Sequence, residues 1–362
     1  MGIAGAKEKG LKAIETGIEN LTQIKVIGLG GGGSNAVNNM IIQNIPGVDF
    51  IAVNTDAQAL IKSIAPVRLR IGDKLTRGLG VGGDHKLGMM AAQESRDEIA
   101  NAIQGADMLF ITAGMGGGTG TGAAPLVADV ARELDILTIA IVTMPFSFEG
   151  VQRTKVAEEG IAMLAEKADT LVVIPNDRLL RMCDMNIPIE SAFKMVDDVL
   201  HQSVLGVYEV IVTIGHINLD FSDVKTIMKG AGHAWITIGR GGGATRAVDA
   251  ARAAISNPIF DFSIERAKRI LFNIIGNDLT LAEINDVANI IKQVADPEAQ
   301  IIFGFGADPE IGRMVKVNLI ATDFSEFRKK PRASDDVAVE VSVDDRRQPF
   351  FSRAKEGIVP VS

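Results

Sequence analysis

Gly116, Gly117, Gly118, Gly120 and Gly122 enclose Thr119 and Thr121, and the chemistry this spacing suits is the holding of a phosphate. Glycine lets the backbone fold in close, so several N–H groups and the positive end of a helix dipole can face one anion, while threonine hydroxyls add donors. An ordinary turn between a strand and a helix needs only one or two glycines. A second run, Gly28, Gly30, Gly31, Gly32, Gly33, Ser34 and Asn35, repeats the pattern. Its Gly28, Gly30 and Gly33 fit G-x-G-x-x-G, so an NAD-dependent dehydrogenase is a rival reading. Asp49 stands at about the ribose-acid spacing of that fingerprint, yet it opens the second strand, which such an acid should close. A third run, Gly78, Gly80, Gly82 and Gly83, precedes a helical stretch at 89–103. Nothing matches G-x-x-x-x-G-K-S/T, which argues against a P-loop ATPase.

These runs need elements to position them. Apolar stretches at 23–29, 50–54, 67–71, 107–112, 136–143 and 169–174 alternate with helical ones, which predicts a parallel sheet covered on both faces. The glycine runs then fall between strands and helices at the carboxyl ends of the strands, where such sheets bind ligands. The helix after Gly122 is expected to start near Ala123, with Pro125 in its first turn. Phe193, Val196, Leu200, Val204, Val207 and Ile211 recur at three- and four-residue spacing and predict one long central helix, 189–214. Beyond it, helices at 222–229, 245–255 and 281–295 mix with strands at 234–239, 268–275, 300–305 and 314–321. The fold class is therefore α/β: a parallel-sheet domain at 23–188, the central helix, and a smaller α/β domain with a mixed sheet at 215–325. Residues 1–22 read as a helix with Ile14, Ile18 and Leu21 on one face, and 326–362 as a disordered linker ending in a short peptide.

Composition narrows the class. The chain of 362 residues is 47% hydrophobic, enough for two cores. A net charge of −8 argues against a nucleic-acid partner. The single cysteine, Cys183, excludes an internal disulfide and fits a reducing cytosol. No apolar run reaches about eighteen residues and no signal-peptide core opens the chain, so neither membrane insertion nor export is expected.

The run from Gly116 to Gly122 resembles the tubulin/FtsZ signature. The supporting segments are Asn54 to Leu60, Pro145 to Gly150 followed by Arg153, Pro175 to Asp177, and Asn218 to Asp223. Together they extend the resemblance from about Gln23 to Phe324. Tubulins usually carry serine where Thr121 stands and have a longer helical C-terminal region, so the sequence is closer to the FtsZ branch. The resemblance implies a GTPase that binds GTP or GDP with Mg²⁺. Gly31, Gly32, Gly33, Ser34, Asn35 and the run Gly116 to Thr121 would hold the phosphates. Glu149 and Arg153 would hold the ribose and the nearer phosphates, and Asn176 would join the pocket. Phe193 would stack on guanine while Asp197 accepts from its N1 and N2 donors. Taken alone, Phe193 reads as core, Asp197–Asp198 as a solvated face, and Glu149–Arg153 as a surface ion pair.

Asn218, Asp220 and Asp223 sit at a loop-to-helix junction, where Asp220 or Ser222 can simply cap the helix. In the family the matching loop enters the nucleotide pocket of the next subunit. Asp220 and Asp223 would there orient water and help place Mg²⁺, with Asn218 nearby. A head-to-tail contact of two different surfaces does not close, so it builds a filament. The resemblance also implies a cytoplasmic protein at the division site, reaching a membrane adaptor through its C-terminal peptide around Phe350 and Ile358. A tubulin-like GTPase controlling cell shape is the alternative, and a nucleotide-independent scaffold is the reading from another class. Departures from the bacterial pattern are Asp323 where glycine is common, His216, Met182 to Met185 and the terminal peptide, which hint at an archaeal relative.

Overall fold

The computed structural model describes residues 22–180, 187–213, 217–259 and 264–324. The expected N-terminal helix, apart from Thr22, and the expected linker and terminal peptide lie outside them, as do Met182 to Met185 and His216.

The first half alternates as its hydrophobic pattern predicts. It runs β1 (Ile24–Leu29), α1 (Gly30–Ile42), β2 (Val48–Asn54), α2 (Ala57–Lys62), β3 (Val67–Arg70), α3 (Asp73–Thr76), α4 (His85–Glu94), α5 (Arg96–Ile103) and β4 (Met108–Gly114). Then follow α6 (Thr119–Glu133), β5 (Leu137–Met144), α7 (Val151–Ala165), β6 (Thr170–Pro175) and α8 (Asn176–Leu180). Strand order is β3-β2-β1-β4-β5-β6, all parallel. Alternate residues serve opposite faces: Val26, Phe50 and Phe110 pack with Val37 and Met40, whereas Ile27, Ile51 and Ile111 pack with Ile99 and Val127. Burial on both sides explains why these strands read as continuous apolar runs.

Local details depart from the expected pattern. The helix after Gly118 begins at Thr119, so Pro125 lies in its second turn and not its first. The stretch 89–103 is two helices broken at Ser95, whose hydroxyl accepts from Gly72 N–H at 3.2 Å. The third glycine run follows the short α3 and not a strand. Asp49 is exposed within β2, which leaves the dehydrogenase reading without its ribose acid.

The long helix α9 (Ile189–Val212) leads to α10 (Phe221–Met228), β7 (Gly232–Gly241), α11 (Arg246–Ile255), β8 (Ala267–Gly276), α12 (Leu281–Val294), β9 (Gln300–Gly306) and β10 (Val315–Phe324). Val196, Leu200, Val204 and Val207 of α9 are buried, on the stripe that the spacing predicts. The second half forms a mixed sheet: β10 is antiparallel to β7 and β8, and β8 is parallel to β9. Two parallel pairs, Thr170 with Gly232 and Leu171 with His233, join β6 to β7, so the halves share one ten-stranded sheet.

Candidate functional site

Helix termini show where an anion belongs. The first N–H groups of a helix lack internal partners, and a side chain at the N-cap can satisfy them. Asp56 caps α2, Asp84 caps α4, Asp220 caps α10 and Thr280 caps α12. α7 has neither a side-chain cap nor an acid in its first turn, and the same is true of the pair α1 and α6. Both begin in glycine runs, and both starts line the same groove. Two uncapped helix N-termini converging on one cavity form a site for a negatively charged group.

The groove lies at the carboxyl ends of the central strands. One part, about 420 Å³, is lined by Gly31, Gly32, Asn35, Thr143, Glu149, Arg153, Asn176, Phe193 and Asp197. A second, about 460 Å³, is lined by Gly30 to Gly32, Asn54 to Asp56, Leu79 to Gly83, Gly117 to Gly120 and Arg153. A third, about 640 Å³, shares Gly82, Gly83, Gly117, Gly118 and Arg153 and adds His85 and Gln152. A separate apolar trough floored by Met89, Met90 and Met163 includes no residue of the glycine runs.

The glycines have different reasons to be glycine. A Cβ on Gly31 or Gly117 would meet nothing within 4 Å, so these positions border open space. A Cβ on Gly33 would lie 2.4 Å from Thr112 O, so this glycine lets α1 press against β4 and does not face the groove. Gly116 has φ +91°, and its Cβ would lie 2.7 Å from Arg153 O. Gly118 is crowded by Val81 of the third run.

Two threonines divide the labour. Thr119 Oγ1 lies 2.7 Å from Thr55 Oγ1, which ties the start of α6 to the end of β2. Thr121 is fully buried and accepts from Gly116 N–H at 2.9 Å, so it braces the loop and does not line the cavity, contrary to expectation. Ser34 is likewise buried outside the lining, and its hydroxyl has no partner.

At the other end, Phe193 is 43% exposed and meets Phe146 edge-on at 5.4 Å between ring centroids. The neighbouring acids separate. Asp198 accepts from Asn39 Nδ2 at 2.9 Å and Gln43 Nε2 at 3.1 Å, facing α1. Asp197 lines the groove, and burial, reinforced by the charge of Asp198, pushes its carboxyl up to about 7. Asn176 is buried with its Oδ1 unpaired. Glu149 accepts from Phe146 N–H at 2.9 Å and pairs with Arg153 at 2.9 Å.

Asn218, Asp220 and Asp223 do not join this constellation. They follow the C-terminal end of α9, whereas Phe193 and Asp197 stand near its start; 24 residues at about 1.5 Å each span roughly 35 Å. Asp220 Oδ1 accepts from Asp223 N–H at 2.9 Å, and Asp220 N–H donates to Asp223 Oδ2 at 3.1 Å. This reciprocal box selects Asp220 over Ser222 as the cap.

The family model for the tubulin/FtsZ GTPase domain matches residues 23–184, and that for the FtsZ C-terminal domain matches 232–325. An empty FtsZ dimer from M. jannaschii is 43% identical, with a TM-score of 0.79 over 87% of this chain and 92% of that one. The chain belongs to the tubulin/FtsZ family. It is a GTPase, and membership of this family implies that it binds GTP and GDP. Haloferax volcanii CetZ2, in a GTPγS-bound protofilament, is 20% identical with a TM-score of 0.71 over 83% of this chain and 92% of that chain. CetZ1 from the same organism, a GDP-bound monomer, is 21% identical at 0.72 over 84% and 95%. These two likenesses show the fold alone.

Sequence reasoning gave no site role to Thr55, Asp56 and Thr143, and carried Gly82 and Gly83 only as part of the third glycine run. The signal for the first two was present, since Asn54 to Leu60 closes β2 beside the glycine loops.

Proposed function

We propose that this GTPase polymerises head-to-tail into filaments that form the division ring, with each subunit completing its neighbour's hydrolytic site. The observation that carries this reading is the separation along α9 of a built nucleotide groove from an exposed carboxylate loop. In it, Phe193 and Asp197 take guanine, Asn176 stands beside the base, and Glu149 and Arg153 take the ribose and nearer phosphates. The uncapped starts of α1 and α6 take the phosphates, with Asn35 and Thr119 adding polar groups. Asp220 and Asp223 then orient the attacking water across the contact, with Asn218 beside them. A group supplied in trans of this kind accelerates other GTPases by about 10³ to 10⁵-fold.

The M. jannaschii FtsZ relative is a dimer, which supports self-association here. Among the described residues no helix is long and apolar enough to cross a membrane. A cytoplasmic place at the division site, with recruitment by a membrane adaptor through the C-terminal peptide, completes the reading. Division is preferred to a role in cell shape because the 43% identity is to FtsZ.

Among the described residues no three His, Cys, Asp or Glu side chains cluster to hold a metal on their own. Mg²⁺ needs only one or two carboxylates when phosphate oxygens and water complete its shell. Asp56, a carboxylate in the lining of the phosphate end, fits that demand. When bound, Mg²⁺ would neutralise phosphate charge.

The test is light scattering and phosphate release with GTP, GDP and NAD side by side over a range of protein concentrations. GTP alone should raise scattering, and turnover should rise more steeply than linearly, since the competent site exists only after association. A rate strictly proportional to concentration down to dilute monomer overturns the shared site.

A further inference from the structure

The loop carrying Asn218, Asp220 and Asp223 is fastened to the free edge of β9. This strand ends the sheet and pairs on its other side with β8. On the free side, Ile217 N–H donates to Phe305 O at 3.4 Å and Phe305 N–H donates to Ile217 O at 3.2 Å. Gly304 lies under this bridge. A Cβ there would fall 2.8 Å from Leu219 Cγ, 2.9 Å from Ile217 O and 3.0 Å from Asn273 Oδ1. Its φ is not positive, so glycine is required by space and not by backbone angle.

The loop is also held from both ends. Upstream, Glu209 in the last turn of α9 accepts from Lys316 Nζ at 2.8 Å and Asn318 Nδ2 at 2.9 Å on β10. Downstream, Leu219 is buried and the Asp220–Asp223 box starts α10. Between these anchors, the depth of the loop is set by how closely Ile217 and Leu219 approach β9.

We propose that Gly304 is a positioning residue for GTP hydrolysis: having no side chain, it seats the Asp220 and Asp223 loop at the depth where the carboxylates meet the neighbouring subunit's nucleotide. This rests on the shared-site reading above. Gly304 is buried beneath the bridge and acts through Ile217 and Leu219. Displacing reacting groups by about 1 Å is enough to lower a rate by roughly 10²-fold.

Full-length Gly304→Ala should therefore bind GTP as the parent does, with KM unchanged and kcat lowered about 10²-fold. Complementation separates seating of the loop from general damage. Gly304→Ala keeps an intact groove, whereas Gly117→Asp puts a carboxylate into the phosphate space and keeps an intact loop. Mixing the two should restore turnover, while mixing Gly304→Ala with Asp220→Ala should not, because both then lack a working loop. Phe305→Pro removes the N–H donated to Ile217 on an edge strand that tolerates proline, and should give the same pattern. It serves as the second variant if Gly304→Ala does not fold. Parent-like kcat in a folded Gly304→Ala overturns the inference. So does failure of Gly304→Ala to be rescued by Gly117→Asp when Asp220→Ala is rescued by it. If the Asp220→Ala and Gly117→Asp pair shows no rescue, the shared-site reading falls and this inference with it.

Discussion

Thr55 Oγ1 and Thr119 Oγ1 lie 2.7 Å apart, joining the end of β2 to the first residue of α6. Both side chains are buried, so this bond fixes where the uncapped start of α6 sits relative to the loop at Asn54 to Asp56. Thr55→Val keeps the shape and deletes one partner. Such a loss costs about 1 kcal/mol of folding stability, and the loosened start of α6 should hold GTP less tightly. Titration of a fluorescent GTP analogue checks it, and unchanged affinity would show that the bond does not organise the phosphate end.

Asp197 links base choice to pH. Its carboxyl is raised to about 7 by burial, against an unfolded value near 4. The nucleotide-free fold therefore keeps a proton that the unfolded chain releases, and stability falls as pH rises from about 4 to about 7. Asp197→Asn removes that penalty and should raise the melting temperature of the nucleotide-free protein at pH 8 but not at pH 4. The same variant should lose discrimination of GTP from ATP, because one of the two carboxylate acceptors becomes an NH2 donor facing guanine's own donors. GTP affinity of the parent should weaken below about pH 7 for the same reason. Equal GTP preference in variant and parent returns Asp197 to a helix residue with no part in recognition.

Gly117 and Gly118 are adjacent yet should fail differently. Gly117→Asp projects into open space beside the phosphates, so it should abolish GTP binding with little change in melting temperature. Gly118→Ala brings a Cβ within 2.4 Å of Val81 Cγ2, so it should lower the melting temperature and disturb the third glycine run as well. Thermal melts with and without GTP read both effects. Equal loss of stability in the two variants would refute the distinction.

What was legible in the sequence follows from what leaves a local trace. The parallel sheet shows because strands buried on both faces read as apolar runs, as 108–111 does. The two glycine loops at the starts of α1 and α6 show because close backbone approach demands glycine. The start of α6 does not show, since Thr119 and Gly120 are poor helix formers held in place by the sheet and by Thr55. Thr121 and Ser34 misled for a related reason: a hydroxyl in a glycine loop reads as a ligand whether it faces the groove or the core. The seam between β6 and β7 rests on only two residue pairs far apart in sequence, and no local pattern announces it.

Asp323, read from the sequence as a departure from glycine, has a φ of +58°, a region that glycine adopts freely. Asp tolerates this left-handed region better than most residues, and here it also faces Arg269 at 3.7 Å. Asp323→Gly should be tolerated within a degree or two of melting temperature, relieving backbone strain while losing a weak ion pair. Asp323→Val should be clearly destabilising, since a β-branched side chain is strained at positive φ. Equal melting temperatures for the two would mean the strand end relaxes away from that conformation.

Asp220 has two candidate duties, and one substitution separates them. As the N-cap of α10 it accepts from Asp223 N–H at 2.9 Å, and Asp220→Ala should lower stability by about 1 kcal/mol through loss of the cap alone. Asparagine caps a helix about as well as aspartate. Asp220→Asn should therefore keep the melting temperature and the GTP affinity of the parent, and should still place an oxygen near Asp223. It lacks the negative charge that would draw a proton from the attacking water across the subunit contact, so GTP-dependent scattering should persist while phosphate release falls by at least tenfold. Filaments of this variant should outlast those of the parent, because bound GTP is not consumed. Parent-like phosphate release by Asp220→Asn would leave the carboxylate with its capping role only and would remove Asp220 from the hydrolytic site.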